Sequence, residues 1–177
     1  FIASKLLTIS IFSVISTLIV FVITLYLGYQ YSEKTDWNLV QKEVFFMGNY
    51  FLKLLTFFCF LMFLSILLRK SVFVFLAFFV WWIIEGILNM VEQFLVFDGL
   101  KDEEFNKIAL NKFFFSDLLP LNSMSELIPN PMMRLNLAKM MGMEYKFSYP
   151  WESVFACIVW CIVFIIASYW ILRKRDW

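Results

Sequence analysis

Four long apolar stretches occupy most of this chain, and they decide its fold class. No charged residue stands between Lys5 and Glu33, and none stands between Glu152 and Arg173. Each of these runs is long enough to cross a hydrocarbon core of about 30 Å as an α-helix. Two further runs each contain one deep charge. The sequence therefore predicts an all-α membrane protein with four transmembrane helices, at about residues 6–29, 44–68, 71–97 and 152–172.

The composition agrees with this class and excludes several functions. Hydrophobic residues make up 62% of the chain, against about 45–50% in soluble domains. The net charge of +1 and the absence of histidine disfavour nucleic-acid binding, histidine metal sites and histidine-activated nucleophiles. The five glycines are scattered, so no phosphate-binding loop is present. We expect no catalytic residue, no metal and no cofactor in this chain, and no nucleic-acid partner.

The start of the chain predicts a transmembrane helix and not a signal peptide. Its apolar run exceeds the 7–15 or so residues of a signal-peptide core, and no small-residue cleavage site follows it. The chain begins with Phe1 instead of Met and has only one basic residue, Lys5, before its first span. We therefore expect it to be a fragment of a longer protein.

The basic residues at the ends of the spans predict their orientation. Short connections on the cytoplasmic side of a membrane protein carry an excess of Lys and Arg. The long connection at 98–150 has nearly balanced charges and is predicted to be external. The residues predicted on the cytoplasmic side are Lys5, Arg69, Lys70, Arg173, Lys174 and Arg175.

The external segment 98–150 shows helix signals. Asn130 and Pro131 offer an N-cap and a favoured first helical residue, and Gly142 stands where that helix would end. Apolar periodicity predicts another short helix after Asp102. Short helices with apolar faces must cover either the bundle or the bilayer surface. The apolar run at 118–121 fits both a surface-lying cap and a segment that re-enters the bilayer.

The two deep charges lie at similar depth. Counted from the turn at 69–70, Lys53 lies at about 25 Å and Glu85 at about 23 Å, so they can meet. Three hypotheses remain open: an ion pair between the helices, an outward-facing cavity used by a substrate, and a proton relay. Each charge belongs to a polar stripe at helical spacing, formed by Asn49, Lys53 and Thr56 on one span and by Glu85, Asn89 and Glu92 on the next.

Cysteines and tryptophans inside the spans are interpreted as packing residues. Cys59, Cys157 and Cys161 all fall within apolar runs, where cysteine behaves as a small apolar side chain. Trp81 and Trp82 lie deeper than the interfacial belt in which tryptophan is enriched. Both tryptophans are therefore predicted to pack inside the helix bundle.

Six short motifs lie at the ends of the spans, within the third span and in the external segment. They are Ser-Lys-Leu-Leu-Thr at 4–8, Leu-Leu-Arg-Lys-Ser at 67–71, Trp-Ile-Ile-Glu-Gly at 82–86, Leu-Leu-Pro-Leu at 118–121, Ser-Glu-Leu-Ile at 125–128 and Tyr-Trp-Ile-Leu-Arg at 169–173. Together these motifs resemble the C-terminal two-thirds of a bacterial ABC-2-type transporter permease.

The resemblance implies a fold of six spans with cytoplasmic termini and short external helices between the fifth and sixth. The four spans here would be the family's third to sixth, and the first two spans and most of the cytoplasmic coupling region would be missing from this sequence. The same resemblance implies a multi-pass protein of the bacterial cytoplasmic (inner) membrane.

In function, the resemblance implies the transmembrane permease subunit of an ATP-driven exporter. It would dimerise with an identical or different permease subunit, form the substrate path between the two, and bind separate ATPase subunits that hold ATP and Mg. The alternative is a non-transporting membrane scaffold or anchor of a larger envelope complex.

Overall fold

A computed structural model describes residues 2–31, 37–97, 115–128 and 149–175, and helices account for nearly all of them. Four helices are long and apolar enough to cross a membrane, with mean hydropathies of 2.7, 2.4, 2.2 and 2.5 in chain order. The all-α membrane class with four spans is therefore confirmed. The long helices are α1 (Ile2–Tyr31), α2 (Trp37–Leu68), α3 (Ser71–Phe97) and α5 (Trp151–Arg175), and between the last two lie a 3-10 helix (Phe115–Leu118) and α4 (Pro120–Glu126).

The bounds of the long helices are close to the predicted spans, with one clear difference. Helix α2 begins at Trp37, several residues before the predicted start at 44, because polar residues outside a membrane can continue a helix that the apolar run does not include. The short helices predicted after Asp102 and up to Gly142 lie outside the described residues.

The core of the bundle is the contact between α2 and α5, which lie side by side and run in the same direction. The thiols of Cys59 and Cys161 are 3.5 Å apart. Next to this contact, the ring centroids of Phe60 and Phe164 are 4.9 Å apart, and those of Phe63 and Phe164 are 5.6 Å apart. Since lipid is as apolar as these side chains, close packing is what holds such helices together.

Helices α1 and α3 lie at the periphery and expose apolar faces. Only 6% of the residues in their apolar windows are buried, against 28% in α2 and α5. In a bilayer these faces contact lipid, where exposed apolar side chains carry no penalty. Trp81 is half-buried, as predicted, and packs against Phe60. The prediction for Trp82 is wrong, because its side chain points about 100° away around α3 and is 59% exposed.

The α2–α3 hairpin turns over two basic residues. Arg69 has φ 59°, a left-handed conformation that costs a residue with a side chain roughly 1–2 kcal/mol. The amide of Arg69 donates to the Ser65 carbonyl at 3.1 Å, which closes the end of α2. Arg69 and Lys70 are exposed at the tip of the hairpin.

The basic residues at the ends of α2 and α5 share one end of the bundle, because these two helices run in the same direction. Arg173 and Lys174 are exposed in the last turn of α5, and Arg175 ends the helix. The Lys174 ammonium lies 3.7 Å from the centroid of the Trp170 ring, a cation–π contact suited to a membrane interface. Lys5 is exposed near the start of α1.

Candidate functional site

Residues 115–128 lie inside the helix bundle at the depth of the spans, and we call them the re-entrant segment. Its residues Met124 and Leu127 are 3% and 0% exposed and join the core cluster formed by α2 and α5. The start of α4 lies against Glu85, which is about 21 Å along α3 from its first residue, Ser71. This packing against the middle of α3 favours the re-entrant alternative over the surface-lying cap.

Glu85 caps the first turn of α4 from a neighbouring helix. One carboxylate oxygen accepts hydrogen bonds from the backbone amides of Leu121 at 3.0 Å and Asn122 at 2.9 Å. The other oxygen accepts a bond from the indole N–H of Trp81, one turn earlier on α3. The Glu85 side chain is 2% exposed. Three N–H donors thus satisfy this buried carboxylate, and among the residues that the structure describes no basic side chain pairs with it.

The local sequence of α4 explains why it needs such a cap. The first helical residue, Pro120, has no amide hydrogen, and the N-cap position is Leu119, which has no side chain able to accept a hydrogen bond. The second and third residues of the helix therefore present unpaired amides inside the membrane. Glu85 accepts both, in the way an N-cap side chain does.

Glu92 repeats the arrangement two turns further along α3. Its two oxygens accept hydrogen bonds from the backbone amides of Phe115 at 2.6 Å and Ser116 at 2.7 Å, at the start of the 3-10 helix. Residues seven apart lie on one face of an α-helix. The face of α3 that carries Glu85 and Glu92 therefore presents two carboxylates to two successive helix starts in the re-entrant segment.

The other end of the re-entrant segment is attached to α2. The side-chain amide of Asn49 donates to the Leu127 carbonyl at 2.9 Å, and the Tyr149 hydroxyl donates to the Asn49 carbonyl oxygen. Asn49 is 3% exposed. The amide thus joins α2, the end of the segment and the residues that lead into α5.

Helix α5 holds the middle of the segment. The Trp160 indole donates to the Leu118 carbonyl at 2.7 Å, which satisfies the backbone between the two short helices. The Cys157 thiol lies 3.5 Å from the Ser123 hydroxyl, and both side chains are fully buried. All three long helices around the segment therefore contribute polar contacts to its backbone or side chains, as irregular backbone inside a membrane requires.

The structure brings together some of the residues singled out from the sequence and separates others. Asn49 and Glu85 both hold the re-entrant segment, at opposite ends. Thr56 is fully buried, and its hydroxyl donates to the Leu52 carbonyl and, at 3.4 Å, to the Cys157 carbonyl of α5. Asn89 instead accepts a bond from Gln93 on its own helix at 2.8 Å.

The ion pair between Lys53 and Glu85 is replaced by other contacts. The oxygens of Glu85 are occupied by Trp81 and by the amides of α4. Lys53 is half-buried on α2, and its ammonium is not among the described groups that bond to the Glu85 oxygens. The physical reason is that the re-entrant segment lies where the pairing hypothesis placed direct contact between α2 and α3.

Sequence reasoning missed the residues that act through the backbone of the segment. Trp160 donates to the Leu118 carbonyl of the segment, and Tyr149 donates to Asn49, which in turn holds the Leu127 carbonyl. Neither Trp160 nor Tyr149 belongs to a polar stripe with a titratable group. The sequence did point to Glu92 as a polar residue on the same face of the helix as Glu85, but not to its bonds with backbone amides. Within the described ranges no group of three or more His, Cys, Asp or Glu side chains could hold a metal.

The position of the segment can be tested with one added thiol. In a background with Cys59→Ala and Cys161→Ala, Ser123→Cys should form a disulfide with Cys157 under a membrane-permeant oxidant, because the two side chains already lie 3.5 Å apart. Mass spectrometry of non-reduced peptides measures it. Ser125→Cys, on the exposed side of the segment, is the matched control and should remain a thiol. Equal cross-linking at both positions would contradict the placement.

A family model described as ABC-2 family transporter protein matches residues 1–177, the whole of this chain. No curated protein and no solved structure matches it.

Proposed function

The chain belongs to the ABC-2 family transporter proteins, membrane permeases of ABC transporters, and on this premise we propose that it is the permease subunit of an exporter. In this proposal it forms the substrate path as a dimer in the bacterial inner membrane, and separate ATPase subunits drive it. The permease itself performs no chemistry.

The observation that carries the proposal is the re-entrant segment. Interrupted backbone at membrane depth is tolerated where it is buried in protein or lines a water-filled path. Here a segment with two short helices reaches the level of Glu85 and is held there by hydrogen bonds to its backbone amides. A chain that served only as an anchor would need four continuous spans and no such segment. We infer that the segment closes the external end of the substrate path.

The segment makes apolar contacts with α2 and α5 and hydrogen bonds with α3. This division supports our proposal that it can open and close the path. Its apolar residues Met124 and Leu127 pack into the core shared by α2 and α5. Its contacts with α3 are mainly the bonds to Glu85 and Glu92. In our proposal the segment stays with α2 and α5, while α3 moves relative to them and the carboxylates release the amides.

Energy for this movement would come from a partner. Nothing in the sequence binds nucleotide, since its glycines are scattered. ATP binding by the partner subunits would shift the permease from one state to the other, because the ATP-bound partner prefers one of them. We propose that the ATPase subunits bind at the end of the bundle that carries exposed basic residues. These are Arg69, Lys70, Arg173 and Lys174.

Purification of the native complex from a mild detergent tests this proposal. We expect mass spectrometry to identify a stoichiometric subunit with a P-loop, a complex mass that requires two permease subunits, and ATP hydrolysis by the purified complex. Arg69→Glu together with Lys70→Glu should reduce the amount of ATPase retained, if this turn contacts the partner. The control is Thr8→Ala, because Thr8 is exposed near the start of α1, at the same end of the bundle as Arg69 and Lys70.

The opposite result would favour the scaffold alternative. If the complex contained other envelope proteins in fixed amounts and no P-loop subunit, the chain would be a non-transporting anchor. In that case its membership of the family would reflect ancestry alone.

A further inference from the structure

A groove of about 580 Å³ lies between the re-entrant segment and α5. Phe115, Leu118 and Leu119 form one wall, and Phe155, Val159 and Trp160 form the other. Phe115 and Val159 are 74% and 57% exposed, so the groove is open along its length. Its size falls within the range of about 300–1,000 Å³ typical of small-molecule sites.

Trp160 is the largest side chain in the groove, and its hydrogen-bonding group is already occupied. The Trp160 N–H is used by the Leu118 carbonyl at 2.7 Å, which satisfies donor and acceptor together. What remains in the groove from Trp160 is the apolar face of its ring. A polar ligand would therefore lose its hydration without finding partners there, whereas a hydrocarbon chain would lose nothing.

Among the described residues that line the groove, Glu152 is the one with a charge, and it lies in the first turn of α5. From Glu152 to Trp160 the groove follows α5 for about 12 Å, which is within one leaflet of a hydrocarbon core of about 30 Å. Glu152 is exposed, and in the part of the chain that the structure describes no cation pairs with it. The groove thus runs in the direction of a lipid chain and ends at a carboxylate where the headgroups lie.

We propose that this groove binds one acyl chain of a phospholipid whose headgroup carries a primary amine. The ammonium group donates hydrogen bonds to the Glu152 carboxylate, and the chain covers Val159, Phe155 and the ring of Trp160. An anionic headgroup is repelled by Glu152, and a quaternary ammonium has no N–H to donate. The lipid lies against the back of the re-entrant segment and supports it, whether or not the chain transports anything.

Native mass spectrometry of the full-length protein tests the proposal. The protein is exchanged into detergent with equal amounts of phosphatidylethanolamine, phosphatidylcholine and phosphatidylglycerol. We expect one retained phospholipid per chain and a preference of about two- to five-fold for phosphatidylethanolamine over phosphatidylglycerol, the range that one partly exposed ion pair provides. Glu152→Gln should keep the lipid and lose the preference.

A matched pair of variants separates the groove from the general lipid surface. Val159→Phe fills the groove, while Val163→Phe adds the same ring one turn further along α5, at an exposed position outside it. We expect Val159→Phe to lose the retained lipid and Val163→Phe to keep it, with equal melting temperatures showing that both fold. Equal retention by the two variants would overturn the proposal. So would equal retention of the three headgroups by the wild-type protein.

Discussion

Replacing Glu85 by Leu is expected to lower the free energy of unfolding by about 3 kcal/mol and to release the re-entrant segment. The change leaves the amides of Leu121 and Asn122 and the indole N–H of Trp81 without an acceptor in a buried site. Each unsatisfied buried donor costs about 1–3 kcal/mol, and relaxation of the segment recovers part of that sum. Unfolding in detergent measures the stability, and hydrogen exchange measures the release, which should be confined mainly to residues 115–128.

Two control variants make this result specific to the capping role. Glu85→Gln keeps a side-chain oxygen that can accept the amides of α4, so its loss should be smaller than that of Glu85→Leu. Lys53→Met should be mild, and its effect should add to that of Glu85→Leu, because Glu85 is held by Trp81 and the amides of α4 and not by Lys53. If Lys53→Met were as damaging as Glu85→Leu and the double variant were more stable than either, the ion-pair hypothesis would be right after all.

Replacing Phe60 by Ala is expected to lower the free energy of unfolding by about 3–4 kcal/mol. Phe60 is fully buried, and its ring lies 4.9 Å from that of Phe164, 5.7 Å from Trp81 and 6.4 Å from Phe78. Truncation leaves a cavity at the point where α2, α3 and α5 meet, and the loss of packing contacts drives the effect. Thermal or denaturant unfolding in a fixed detergent measures it.

Phe75→Ala is the matched control for that prediction. Phe75 is on α3 and is 64% exposed on the lipid-facing side of the bundle. Truncation of Phe75 should change the free energy of unfolding by less than about 1 kcal/mol, because detergent chains replace the lost contacts. Equal losses for Phe60→Ala and Phe75→Ala would show that the packing of α2 between α3 and α5 is different from that described.

Much of the fold could be predicted because it depends on local properties of the chain. The length of an apolar run sets whether a helix can cross a bilayer, and the four spans were found this way. The three cysteines were predicted to pack as small apolar residues, and all are buried as free thiols. The two neighbouring tryptophans show the limit of this reasoning: depth is the same for both, yet the helix points Trp81 into the bundle and Trp82 into lipid.

The candidate site was predicted in part. Asn49, Thr56 and Glu85 were singled out as polar residues at depth, and each is buried in contact with another element or segment. Their partners were not predictable in the same way. A deep carboxylate suggests a basic side chain as partner, but backbone amides satisfy it equally well, and the sequence carries no mark of an unpaired amide beyond Pro120 following a residue that cannot cap.

The sequence by itself determined the membrane class, the four spans, the basic residues at their ends and the family to which the chain belongs. The class, the spans and the side of the basic residues follow from the hydrophobic effect and from charge, which act on each segment regardless of its neighbours. The family follows from the match of the whole sequence. The tertiary structure alone decided that residues 115–128 enter the bundle and that Glu85 and Glu92 hold their amides. That choice depends on which donors and acceptors meet after helices distant in sequence have packed, because inside a membrane every polar backbone group must find its partner within the protein.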